Sequence, residues 1–174
     1  MPGSTSLLAE PLGPSLGIQA QLPILLAEYP FRTQQDIADY LHLLQDLPRY
    51  FSDLIALEQE KSRQGVFQND LAVDGIIRQC SAFLADADTP ESHLLHTVFQ
   101  NKLQASSLFS EAERNLCLQT HKKLLTSCVF PAYRSLSDAL SSLRGKGTQN
   151  AGGLSRQEGG LSYYAYLLRS RVRC

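Results

Sequence analysis

Apolar residues recur along this chain at steps of three and four, the spacing that gathers side chains on one face of an α-helix. The first clear stripe is Ile37, Tyr40, Leu41 and Leu44. Thr33 precedes it, with Asp36 three residues on, a cap-and-acid pair that predicts a helix start. Pro48 suits a first turn and predicts a second helix, with Phe51, Leu54 and Ile55 on its apolar side and Gly65 as its stop. A third helix is predicted from Asn69 or Asp70, striped by Val73, Ile76, Ile77, Cys80 and Leu84. Thr89, Pro90 and Glu91 combine a cap, a first-turn proline and a first-turn acid. A fourth helix is therefore expected to start there and to bury Leu94, Leu95, Val98, Phe99 and Leu103.

Ser110 and Glu113 form a further capping-box pattern. The stripe after it, Cys117, Leu124, Cys128, Ala132, Leu136, Leu140 and Leu143, predicts one long helix, about 50 Å if unbroken. Pro131 lies inside it, lacks a backbone N–H and collides with the preceding turn, so a kink near Pro131 is expected. Residues 145–160 hold six of the 11 glycines and no apolar period, and predict a loop. Residues 161–172, with Tyr163, Tyr164, Tyr166, Leu167 and Leu168, predict a last helix. Nothing alternates with period two, so no sheet is expected. At the other end, residues 1–17 crowd together Pro2, Gly3, Pro11, Gly13, Pro14 and Gly17, too many breakers for a regular element. Residues 22–27, with Pro23, fit either a short helix with proline in its first turn or an extended arm. The pattern thus predicts an all-α array of five or six helices. Its parts are a Pro/Gly-rich arm (1–32), a helical domain (33–144), a Gly-rich loop (145–160) and a C-terminal helix (161–174).

Composition narrows the function classes. With 174 residues and 43% apolar content, the chain can build a real core. Sixteen Lys+Arg against 17 Asp+Glu give a net charge of −1, without the basic excess of a dedicated nucleic-acid binder. No apolar run approaches the ~20 residues of a membrane-spanning helix. Residues 1–6 contain no Lys or Arg and lead into no long apolar run, so they do not read as a secretory signal; the protein is cytoplasmic or its true start lies upstream. The cysteines, Cys80, Cys117, Cys128 and Cys174, form no C-x-x-C pair, and the first three read as small core residues.

Few residues suggest chemistry. His93 and His96 stand three apart, adjacent on a helix, and could share a zinc ion; a catalytic zinc needs a third ligand and a base, and Glu91 falls on another face. Surface or half-buried histidines are the simpler account, and His42 and His121 stand alone. Glu58 and Glu60 lie in a charged run and point about 200° apart on a helix, so they do not converge. Glu28, Tyr29, Phe31 and Arg32 crowd beside prolines just before a helix, either lining a cleft or stapling the start of that helix. The paired glycines 152–153 and 159–160 lack the Lys-Ser/Thr of a phosphate loop, and no Gly-x-Ser-x-Gly appears. No catalytic set is predicted.

An ordered series of short motifs resembles one family. Residues 16–32, Asp39-Tyr-Leu-x-Leu-Leu, Pro48-x-Tyr-Phe51, Glu58-x-Glu60-Lys61-Ser62 with Gly65 and Phe67, and Gln79-Cys80 come first. Pro131-Ala-Tyr-x-x-Leu136, Gly153-Leu154, Gly159-Gly160 and Tyr163-Tyr164-x-x-Leu-Leu168 continue it, so that residues 7–170 resemble the bacterial domain-of-unknown-function 885 family. The resemblance implies a helical, zinc-metallopeptidase-like parent, several times longer and often exported or lipid-anchored. Its metal site is a His-Glu pair followed by Pro-Gly-His downstream of the matched region. This chain has no His-Glu dipeptide, so no zinc ligand carries over and no cofactor is expected in it. The expectation is a non-catalytic helical portion, a fragment of such a protein, whose partner is its missing C-terminal part or another protein. A free-standing helical interaction module is the alternative, and a zinc hydrolase using His93 and His96 the third.

Overall fold

The structure, a computed structural model, describes residues 6–147 and 160–171. Among these it is all helical. After a 3-10 turn at Ser6–Leu8 come α1 (Ile18–Glu28), α2 (Gln34–Arg63), α3 (Asp70–Phe83), α4 (Leu94–Ala105), α5 (Glu111–Leu124), α6 (Phe130–Leu143) and α7 (Gly160–Arg171). A π-helical turn, Leu125–Val129, joins α5 to α6, so residues 111–143 run on as one long helix and six helices result. The predicted loop falls mainly on residues outside those described, as do Cys174 and the side chain of Leu167.

The caps behave as their sequences require. Thr33 and Ser110 each accept from the amide three residues on while Asp36 and Glu113 accept from the cap amides, completing both capping boxes. α2 ends in a Schellman motif, with Val66 N–H reaching Lys61 O and Gly65 N–H reaching Ser62 O; Gly65 holds the φ of +71° that this turn demands.

Three expectations change. The two helices predicted on either side of Pro48 are one, α2, with Pro48 inside it. The proline costs a bond to the Leu44 carbonyl, yet Leu44, Leu47, Phe51 and Leu54 continue one buried face across it. That face packs along α6, and the packing outweighs the local break. Thr89-Pro90-Glu91 forms a turn rather than a helix start, with Ser92 Oγ bonded to Thr89, and α4 begins at Leu94 with His93 as its cap. The frame shift leaves Leu94 exposed while His96 is buried. Pro23 sits in the middle of α1 rather than in its first turn.

Pro131 and Pro23 each have a structural answer. The long helix widens into its π-turn just before Pro131, where Phe130 N–H bonds to Leu125 O. Thr126 and Ser127 hydroxyls add bonds to the Lys122 and Lys123 carbonyls there. Pro23 deprives the Gln19 carbonyl of its helical donor, and the buried Tyr133 hydroxyl of α6 donates to it at 3.0 Å. The Tyr133 ring is wedged between Phe51 and Phe83, with centroids 4.8 and 4.1 Å away. The core around it draws on every helix from α1 to α6, including Leu12, Leu26, Tyr40, Phe51, Val73, Ile76, Leu95, Phe99, Val129, Phe130 and Leu136.

Tyr133→Phe keeps the ring and removes the hydroxyl, leaving the Gln19 carbonyl unpaired; urea denaturation should show a loss of about 1–3 kcal/mol. A loss near zero would mean that the Gln19 carbonyl is satisfied some other way.

Candidate functional site

Two groups of ionisable side chains lie in the interior among the described residues. In the first, α2, α4 and α5 bring together Tyr40, His96 and His121. His121 Nδ1 and His96 Nδ1 are 3.1 Å apart, and His121 Nε2 is 3.2 Å from the Tyr40 hydroxyl. Phe99 stacks on the His121 ring at 4.2 Å and 7°. A bond between two Nδ1 atoms needs one bare nitrogen, so His96 and His121 cannot both be protonated while it lasts. Burial holds His121, fully enclosed, down at about 3, with the neighbouring His96 and His93 adding to the effect. Burial also lowers His96, and the nearby Glu91 pulls the other way. Burial pushes the Tyr40 hydroxyl far above its ordinary value, so it is a neutral partner to His121.

His93 is not part of this relay. Its Nδ1 accepts from the Leu95 amide and its Nε2 faces Phe83 O at 3.0 Å, so capping and one carbonyl use both nitrogens. The histidine pair three apart in the chain is thus divided, and the pair in contact is His96 with His121. Among the described residues, no three or more His, Cys, Asp or Glu lie together as a metal cluster. His121 had looked solitary, yet it lies four residues after Cys117, and a histidine in step with an apolar stripe was the signal.

In the second group, Glu58 and Lys61 form an ion pair at 3.1 Å, with side chains 1% and 2% exposed. Lys61 Nζ also donates to Ala9 O at 3.2 Å. Burial raises the Glu58 carboxyl, and Lys61 and Gln68 offset part of this. A buried pair of this kind gains little net energy, but removing one member strands the other, so it secures a geometry more than it adds stability. Glu60 points outward to Arg63 and Gln64, diverging from Glu58 as its spacing predicts.

Around Glu28, Tyr29, Phe31 and Arg32 the packing is that of a fastener. Tyr29 and Phe31 are half-buried against Tyr40, and Phe31 meets Phe99 edge-on at 5.4 Å. Lys102 of α4 donates to the Ala27 and Tyr29 carbonyls at 2.5 and 2.7 Å and lies over the Phe31 ring, closing the C-terminal end of α1. Glu28 and Arg32 are exposed, the Arg32 amide donating to Asp36. Tyr163 is half-buried beside Tyr166, and Tyr164 is exposed. An open groove of about 510 Å3 lies between α2 and α5, lined in part by Leu41, His42, Lys123, Leu124 and Cys128.

His96 and His121 make stability depend on pH. Their folded pKa values lie below the unfolded value near 6.5, so between about 3 and 6.5 the unfolded chain binds more protons, and stability falls as pH drops through that window. Urea midpoints between pH 5 and 6.5 should decline with acidification by up to about 1.4 kcal/mol per pH unit per histidine. The raised Glu58 acts in the opposite sense, so His121→Phe should flatten the dependence. An unchanged slope in that variant would remove His121 from the account.

A family model described as "Bacterial protein of unknown function (DUF885)" matches residues 5–173. No curated protein sequence matches the chain. Among solved structures it is similar to "the putative lipoprotein from Colwellia psychrerythraea", with a TM-score of 0.80 and 18% identity over 91% of this chain. The match covers 27% of that longer protein, so this chain spans about a quarter of its length. At this identity the likeness carries the fold alone. The family model covers nearly every residue, including both buried groups, and the chain belongs to the bacterial DUF885 family of proteins of unknown function.

Proposed function

We propose that this chain acts as the non-catalytic helical portion of a longer metallopeptidase-like protein, a body of helices 33–144 with an arm, residues 1–32, fastened to it. The observation that carries this reading is how the buried polar groups are used. Lys61 holds Ala9, Lys102 holds the end of α1, Tyr133 holds Gln19, and His93 caps α4. These four are engaged by the chain's own backbone, while the buried His96 and His121 bond to each other and to Tyr40, and this use supports a holding role over a reactive one. The metallopeptidase-like character comes from the resemblance, and the short span against the Colwellia protein supports a part within a larger whole. That protein's description as a lipoprotein is in line with an exported or lipid-anchored parent.

A free-standing interaction module is the second reading, favoured by exposed apolar side chains on α1 (Ile24, Leu25) and α7 (Leu161, Tyr164, Tyr166, Leu168). Under the first reading the remaining part of a longer protein covers these residues, and under the second another protein does. Native mass spectrometry of the chain with cell extract separates them, since only a module yields a defined complex.

For the main proposal, purified chain offered zinc should hold no stoichiometric metal and cleave no member of a peptide library. About one tightly bound zinc per chain, with peptide cleavage, both lost in His96→Ala, would establish a hydrolase instead.

A further inference from the structure

Residues 6–16 form an irregular strap over the C-terminal half of α2 and over α3. Leu8 and Leu12, four apart, are its anchors, and Leu12 is completely enclosed. Pro11 and Pro14 have no N–H to give, and the side chains around the strap contact it through its carbonyls. The helices answer with donors. Lys61 Nζ reaches Ala9 O at 3.2 Å, Gln68 Nε2 reaches Leu12 O at 3.1 Å and Gln79 Nε2 reaches Pro14 O at 2.6 Å. Gln19 Nε2 adds Gly13 O and the Gln79 Oε1, both at 2.6 Å. The four donors come from α2, the α2–α3 connection, α3 and α1. Gly75 of α3 leaves the space for Pro14, because a Cβ there would lie 2.8 Å from the Pro14 Cβ.

We propose that this surface is a peptide-binding seat for proline-rich, leucine-anchored segments, and that residues 6–16 are its tethered occupant. The seat reads main-chain carbonyls, which any peptide supplies, and asks for side-chain identity at the two leucine positions and at the small contact over Gly75. Recognition of proline-containing segments follows the same physics, since such a peptide is held through its carbonyls and its apolar faces. A second observation points to exchangeability. Gln19 Oε1, on a residue 1% exposed, is an acceptor without a donor. An occupant that brings an N–H or an ammonium to it makes a bond that the strap does not make. The tether favours the strap through its high local concentration, on the order of millimolar for a short link, so a competing segment must bind better than the strap does. The inference concerns this seat alone and stands whether or not the chain is part of a metallopeptidase-like protein.

The test uses the full chain and a fluorescein-labelled synthetic peptide of residues 6–17. Leu12→Asp, which expels the tethered strap, should raise the affinity for the labelled peptide at least about tenfold over the unaltered chain. Adding Gly75→Val or Lys61→Ala to that variant should remove most of the gain, and a peptide with both leucines replaced by aspartate should not bind. Native-state hydrogen exchange on the unaltered chain provides a check that needs no substitution. Strap amides should exchange through a local opening, well before those of α2 and α3. Strap amides that exchange only with global unfolding would overturn the proposal. So would a Leu12→Asp chain that keeps its helical protection yet binds no peptide.

Discussion

Eight prolines and a turn-rich N-terminal segment leave this chain with backbone carbonyls that no helix can satisfy by itself, and burying such a carbonyl unpaired costs roughly 1–3 kcal/mol. The fold is arranged around meeting them from a distance. Tyr133 of α6 serves the carbonyl freed by Pro23, and Lys102 of α4 closes the end of α1. Lys61, Gln68 and Gln79 serve the strap. Each of these bonds joins elements more than fifty residues apart in the chain, so meeting the backbone's needs and assembling the tertiary structure are the same event.

This also explains why the polar interior is so specific in place. The Glu58–Lys61 pair is costly to desolvate, yet it keeps a donor aimed at Ala9 where an aliphatic pair could not. His121 is held neutral between Phe99, Tyr40 and His96, which links three helices through one ring and makes that junction sensitive to acid. The side chains of both groups are buried. The run Glu58-x-Glu60-Lys61 thus becomes intelligible by position, Glu58 and Lys61 turned inward, where Lys61 holds the strap, and Glu60 turned outward to Arg63.

The candidate site was legible only in part. The divergence of Glu58 from Glu60 followed from helical geometry, and the stapling of Tyr29 and Phe31 was one of two readings their crowding allowed. The His96–His121 contact was not legible, because the two residues stand 25 apart and meet only when α4 and α5 pack together. The frame of α4 mattered here as well. A helix counted from Thr89 takes Leu94 as an inward position, whereas the turn at 84–93 delays the start and turns His96 inward instead.

What the sequence determined by itself is the local part. The all-α class, the capping boxes at Thr33 and Ser110, the stop at Gly65 and the disturbance ahead of Pro131 all depend on interactions within about four residues, which a linear pattern carries. Tertiary structure decided whether each break was final. Pro48 ends a helix by propensity, but α2 passes through it because a continuous apolar face packs on α6. Pro23 is accommodated in α1 because Tyr133, 114 residues beyond Gln19, donates to the Gln19 carbonyl. A proline's local cost is fixed by its ring, whereas its compensation depends on which side chain the rest of the fold delivers to the stranded carbonyl.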